Sequence, residues 1–447
     1  VGKTAALLLV LVFLTASSIA TPLSVKAESK TIVVPDDYQT ISSAIGNATQ
    51  GDTIYVKKGT YEERVLEINK SILVLGEDKD KTIINFDPPV VNYTFLYHIL
   101  QGYSIAITID ANDVKFSGFT ITLPTDMHCL GGINANGDRI EIVSNNLGRR
   151  GSVRLNGTMA NISGNSIPGG MNVIGDHHTV MNNLLEGGFD TQGVYNKIAG
   201  NKISDVVLNS SFSLFFNNSL AWLDLWYCDS NFISNNTMNG LHMHTPCFNN
   251  TVSKNKITGP GIWGILVGRG SYNVFYDNLI SNFMEGNGYG IALGGRHGIA
   301  ENNIFYRNIL INNYFHVAAN WEILGAGNIW DNGEEGNYWD NYEGMDNDGD
   351  GIGDVPYVVE GRKTDNVTRG HVSFVFGYDN YPLMFPFDID NVNMVFPEWA
   401  TVILNPQPTP SSTPELPSTI AIVAVVSVVV VVFAGASFLV YFKKRKG

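Results

Sequence analysis

Residues 231–257 read NFISNNTMNGLHMHTPCFNNTVSKNKI, and the stretch opens and closes on nearly the same phrase. The shared pattern is an apolar residue, two spacers, an Asn, one spacer and another apolar residue. It recurs around Asn145, Asn165, Asn183, Asn201, Asn218, Asn236, Asn255, Asn278 and Asn308, with a weaker copy in which Phe119 takes the Asn place. The first six steps between these Asn are 17 to 20 residues and the last two are 23 and 30. A period near 18 is too short for a helix-pair repeat. The flanking Val, Ile, Phe and Leu at spacing two or three, punctuated by Gly and Asn, are strand and turn signals. Each repeat therefore predicts one coil of a solenoid built from very short strands. Successive coils would stack at about 4.8 Å, with apolar residues inward and the Asn amides bonded coil to coil.

The pattern resembles the parallel β-helix repeats of NosD-like and CASH-domain proteins, within the pectate-lyase-like superfamily. The stretch TIVVPDDYQTISSAIGNATQGDTIYVKKGTYEERVLEINKSILVLGE, 31–77, looks like the opening of such a solenoid. The resemblance covers roughly residues 31–385. It implies an all-β, single-stranded right-handed parallel β-helix. It does not imply one function, because this fold carries lyases, hydrolases, adhesins and binding proteins alike. Ile41, Ala44, Ile45 and Ala48 fall at helical spacing, so a short amphipathic helix is expected to cover the open N-terminal end of the core.

Composition points to an exported chain. There are 447 residues, with 28 Lys+Arg against 42 Asp+Glu and a formal charge of −14. That acidity excludes nucleic acid as an expected partner. Residues 1–27 read as a secretory signal peptide, with Lys3, an apolar run and small residues before Ala20 and Ala27 as alternative cleavage points. Residues 419–442 form an apolar run long enough to span a bilayer, and the basic tail 443–447 follows. The positive-inside rule then places that tail in the cytoplasm and the remainder outside, in the manner of archaeal-type surface proteins. The Pro/Ser/Thr-rich segment 401–418 reads as a stalk. Between the ends, 28–110 is expected to hold the N-terminal cap and first coils, 111–330 the repeats and 331–400 a C-terminal cap. Ten glycosylation sequons occur, at Asn47, Asn69, Asn92, Asn156, Asn161, Asn209, Asn217, Asn235, Asn249 and Asn366.

The strongest chemical signal is DNDGDGIGD, 346–354. Asp346, Asp348, Asp350 and Asp354 stand at positions 1, 3, 5 and 9 of a Gly-kinked loop, and the carbonyl of Ile352 would fill position 7. Position 12 is Tyr357 rather than Glu, so the loop is not a complete EF-hand, and Glu343 or Asp379 would supply the last ligand. The segment also resembles the C-terminal part of NosD-like β-helices. A structural calcium ion is the expected occupant.

The repeat supplies a register for the strand that follows each ladder Asn. Alternation turns one residue per coil outward: Arg154, Asn172, Asp190, Val207, Asp224 and His242, and further on Leu266, Ala292 and His316. In the opening stretch Leu241 and Met243 then point inward, while His242 and His244 point outward. Trp226 and His244 stand two residues after Asp224 and His242. Arg154, Asp190, Asp224 and His242 are the candidate catalytic groups, and Trp226, His244 and Asn172 the candidate substrate-binding groups. A flat indole among polar donors suits the apolar face of a sugar ring. Asp190 and Asp224, two coils apart, would be about 9–10 Å apart, near the upper limit for inverting glycosidases.

A rival reading makes His242, His244 and Cys247, with Met243 near, a copper site, and the NosD resemblance implies copper-site maturation. Lyases of this fold family pair a calcium-held carboxylate cluster with an Arg or Lys base. Here Arg154 is the one well-placed cation on the strip, and no dense Asp cluster lies beside it. Four functions follow: a surface carbohydrate-binding or adhesive protein, a polysaccharide lyase or glycoside hydrolase, a copper-binding protein, and a purely structural surface-layer component. Of the cysteines, Cys228 and Cys247 occupy nearly the same place on adjacent coils. They would form either a disulfide or a pair of buried stacked thiols, with Cys129 left unpaired.

Overall fold

The computed structural model describes residues 28–86, 105–123, 132–286, 288–294, 298–319, 327–364 and 371–405. The expected signal peptide, the apolar run 419–442, the basic tail, Cys129, Asn92 and Asn366 lie outside the described residues. Among the described residues, no helix is long and apolar enough to cross a membrane.

Very short strands wind into coils, and each strand pairs in parallel with its counterpart on the next coil. The pairings build one sheet of thirteen strands and one of fourteen, with the remaining flank divided into sheets of six, five and three. This is a parallel β-helix, as the repeat requires. Before the final hairpin, strands of two to seven residues suffice because no strand needs a long partner edge; the neighbouring coil supplies it. One continuous apolar core fills the interior, from Ile32 and Val34 to Trp339 and Val359. At its C-terminal end Phe275, Phe305 and Trp330 stack with centroids 4.6 and 4.8 Å apart.

The Asn ladder forms as expected. From Asn145 to Asn308 each side-chain amide donates to the carboxamide oxygen of the next ladder Asn, at 2.9–3.2 Å. That oxygen also accepts the main-chain N–H of the preceding ladder Asn. The residue before each Asn has positive φ: Ser144, Gly164, Asn182, Gly200, Asn217, Asn235, Lys254, Asp277 and Arg307. A left-handed residue turns the chain through a corner, and outside Gly it costs free energy. The buried amide bonds hold the corner against that cost. The ladder runs one coil further than the sequence pattern, to Asn337, and ends on Asp379.

A second ladder marks the other corner of each coil. It runs from His178 through Asn196, Ser213, Asn231, Asn250, Asn273 and Asn303 to Asn328. Here too the preceding residue has positive φ, from His177 and Tyr195 to Asn302. His178 is buried, and its Nδ1 accepts the Ala160 N–H at 3.1 Å, which keeps that nitrogen unprotonated. Burial lowers its pKa.

The expected helix forms over Ile41–Asn47, with Thr40 capping the Ser43 N–H and Ile41, Ala44 and Ile45 buried. The enclosed carboxylate of Glu63 accepts the Ile41 N–H at 2.6 Å. At the other end, Tyr357–Thr364 pairs in parallel with Phe315–Ala319, and His371–Asp379 closes the sheet antiparallel. The chain then returns along the coils, against residues of the thirteen- and five-stranded sheets. Lys256 pairs with Asp390 at 2.7 Å, and the Lys254 ammonium bonds the Val392 carbonyl. Phe396 packs on Phe216 and Phe232, and Trp399 on Phe212. Thr401–Leu404 is a helical turn with Ile403 buried, so the stalk expected from residue 401 does not begin before the end of that turn.

Candidate functional site

The outward strip has the register read from the sequence over most of its length. Arg154 pairs with Asn172, Asn172 with Asp190, Asp190 with Val207, Val207 with Asp224, Asp224 with His242, His242 with Leu266 and Leu266 with Ala292. His316 does not belong to it. Ala292 pairs with Ala318, while His316 is buried and its Nε2 bonds Asp340 Oδ1 at 2.8 Å. The strip is also not one exposed face. Arg154 and Asp190 are exposed, whereas Leu266 and Ala292 are buried.

At the middle of the strip, side chains from adjacent coils converge. Asp224 Oδ1 receives His244 Nε2 at 2.9 Å and His242 Nδ1 at 3.2 Å. Three indoles surround this group. Trp226 stacks on His244 at 4.8 Å, Trp222 tilts over His242 at 5.0 Å, and Trp263 meets His242 edge-on at 5.8 Å. Trp222 fits there because Gly240 lies opposite it on the next coil. A Cβ at Gly240 would come within 2.3 Å of the indole, and one at Gly261 within 2.8 Å. Trp226 is 36% exposed. His242 Nε2 and Trp263 Nε1 are enclosed and have no hydrogen-bond partner among the described residues.

Burial alone would raise the Asp224 carboxyl, but hydrogen bonds and charge from His242 and His244 outweigh it and hold the group well below the usual carboxylate range. Asp190 moves the other way, raised by desolvation although the residue as a whole is exposed. Val207, on the coil between them, separates the two carboxyls, which are two coils apart. Asn172 is the neighbour of Asp190. Arg154 is four coils from Asp224, about 19 Å at the ladder spacing, so it is not brought to this centre.

Met243 and Cys247 are fully buried on the inner side, so neither faces the two imidazoles. Cys228 and Cys247 are free thiols, where a disulfide was one of the two sequence expectations. The parallel bridge between Asp229 and Phe248 sets Cys228 and Cys247 at matching places on adjacent coils, both buried, and Cys228 Sγ donates to the Leu208 carbonyl at 2.9 Å. Burial pushes the Cys228 thiol up.

In the acidic loop Asp346, Asp348 and Asp350 converge, their nearest oxygens within 4.8 Å of one another. Asp346 is held by the Gly349 and Gly351 N–H groups at 2.6 and 2.9 Å, and Asp350 by that of Ile352 at 2.8 Å. Asp354 is not part of this set; it accepts from Asn347 at 2.6 and 2.7 Å. Asp379 is committed to the end of the Asn ladder and does not reach the loop as a ligand. The chemistry of three converging carboxylates on a Gly-rich turn fits a hard cation such as calcium.

The indoles Trp222 and Trp263 are the site residues that the sequence reading missed. The Gly at 240, in register with Trp222, was the available signal.

No family model matches the chain, and no curated protein does. Among solved structures, similar ones include a PL6 family alginate lyase, AlyGC, at 14% identity and TM-score 0.39, covering 63% of this chain and 51% of its own. The A-module of the Azotobacter vinelandii mannuronan C-5 epimerase AlgE4 gives 12% and 0.43, with 64% and 92% covered. A mannuronic acid specific polysaccharide family 6 lyase from human gut microbiota gives 15% and 0.40, with 68% and 82% covered. The chain thus spans about half the length of the first of these. At such identities and TM-scores the likenesses identify no family for this chain, and its assignment as a parallel β-helix rests on its own strand pairing.

Proposed function

We propose that this chain is an extracellular carbohydrate-binding protein, anchored by residues 419–442, that presents its ligand site on the outward strip around Trp226. The observation that carries the reading is the partly exposed Trp226 indole, stacked on the His244 imidazole that bonds the Asp224 carboxylate. Sugar rings bind through that combination, a flat apolar surface next to hydrogen-bonding groups. A glycan array on the purified chain identifies the sugar. Trp226→Ala should then weaken binding of that sugar roughly tenfold or more with the melting temperature retained; unchanged affinity places the site elsewhere. Hydrolysis is a second reading, supported by the opposite displacement of the Asp190 and Asp224 carboxyls two coils apart. Reducing-sugar release from the bound glycan separates the two.

The helix Ile41–Asn47 and the acidic loop serve, in this reading, as the ends of the solenoid, with calcium holding the loop through Asp346, Asp348 and Asp350. Calcium that binds only the folded chain should raise its stability, by about 2.7 kcal/mol at a hundredfold excess over Kd. The check is the melting temperature with calcium and with chelator. An equal shift in the Asp348→Ala, Asp350→Ala double variant, or none in the parent chain, removes calcium from the loop.

A further inference from the structure

We propose that Asp224, His242 and His244 form a binding site for a first-row divalent transition-metal ion, with zinc(II) as the probe. The three side chains come from two adjacent coils, and their nearest donor atoms lie within 4.8 Å of one another. An ion bound at about 2.0–2.2 Å to nitrogen and carboxylate oxygen holds neighbouring donors about 2.9–3.4 Å apart. The two separations from Asp224 Oδ1, 2.9 Å to His244 Nε2 and 3.2 Å to His242 Nδ1, already have that size. The donor atoms of the third pair, on the two imidazoles, lie within the same 4.8 Å. One carboxylate oxygen here faces two ring nitrogens at once, and a divalent cation takes the position of both intervening protons.

The surroundings favour a built site over a solvated contact. The side chains of Asp224, His242 and His244 are 32%, 12% and 29% exposed, which weakens competition from water and raises the local field. Trp222 and Trp263 enclose the far edge of the His242 ring, so its Nε2 is sealed off and Nδ1 is the nitrogen left to serve a ligand. Two imidazoles and one carboxylate select zinc, copper, nickel or iron over calcium. The acidic loop, with oxygen donors alone, has the opposite preference. Among the described residues, these are the two groups of three or more such side chains that converge, and the strip group is the one that contains imidazole. With Met243 and Cys247 on the inner side of the wall, the donor set is N2O, without sulfur.

The test uses the purified full chain with zinc(II) alone and no sugar, so its outcome is independent of carbohydrate binding. One equivalent of zinc should survive gel filtration. It should be lost in His244→Gln and in Asp224→Asn, each checked for an unchanged melting temperature in chelator. It should be retained in Asp348→Asn, Asp350→Asn. Cobalt(II) should quench tryptophan fluorescence in the unmodified chain, because three indoles line the site; zinc should reverse the quench and calcium should not. That readout stands even where the variants fail to fold. Absence of cobalt quenching, absence of retained zinc, or zinc retained at the parental level in either folded strip variant overturns the proposal.

Discussion

Replacing Asn236 with Ala is expected to destabilise the β-helix by at least about 3 kcal/mol. Asn236 is 1% exposed. Its carboxamide oxygen accepts the Asn218 main-chain N–H at 2.9 Å and the Asn218 side-chain amide at 3.1 Å. Its own amide donates to the Phe215 carbonyl at 3.0 Å and to Asn255 at 2.9 Å. Truncation strands the Asn218 N–H, one Asn218 amide hydrogen and a lone pair of Phe215, where water does not reach. Each stranded group costs about 1–3 kcal/mol. It also loosens the corner at Asn235, whose φ is 55°. The comparison is Asn136→Ala, which removes an exposed amide bond to Asp110 and should change stability by no more than about 0.5 kcal/mol. Denaturation midpoints of the two full-length variants decide it; equal shifts would falsify the idea that the ladder holds the coils.

The second large effect is on pH dependence, through Asp379. Its side chain is completely buried and accepts from the Asn337 N–H at 2.7 Å, the Trp339 indole at 2.8 Å and the Tyr381 N–H at 3.1 Å. Burial outweighs these bonds and raises its pKa from 3.8 to about 6. A carboxyl with a raised folded pKa contributes stability that is full below the unfolded value and is lost as pH rises through the folded one. For this shift the whole effect is about 3 kcal/mol, of which about 1.4 falls between about pH 7.5 and pH 5. His178 and His316, whose pKa values are lowered by burial, act in the opposite sense. Their contribution is lost as pH falls below the unfolded histidine value near 6.5, so the parent curve alone is ambiguous. Asp379→Asn keeps the shape and removes the titration. Its stability relative to the parent should be highest at about pH 7.5 and fall as pH drops to about 5. A difference that stays flat across that range means Asp379 does not titrate as its burial requires.

Much of the outward strip was legible because a solenoid converts sequence period into register. Once Asn218, Asn236 and Asn255 are aligned, Asp224 and His242 must be neighbours, and the alternation that buries Leu241 and Met243 must turn His242 and His244 to the outer side. The same logic failed at His316: the coils lengthen after Asn255, the count from the ladder Asn to the outward residue no longer repeats, and the place on the last coil falls to Ala318. It could choose the cysteines' shared position but not decide between a bond and two free thiols. That choice depends on where each sulfur points, and both point into the core.

The sequence by itself determined the coil, its core and the Asn ladder, because each depends on residues within one repeat and its nearest neighbours. The second ladder was hidden, since its members change type between His178, Asn196 and Ser213 while doing one job, bonding a main-chain N–H at a corner. Only the tertiary structure decided what gathers at one point. It brought Trp222 over Gly240 and set His242 and His244 on a single oxygen of Asp224. It left Arg154 four coils away, and it folded Phe396 and Trp399 back onto Phe216, Phe232 and Phe212. The physical reason is that backbone pairing follows a period along the chain, whereas these contacts depend on side-chain length, rotamer and the space that a neighbouring coil leaves open.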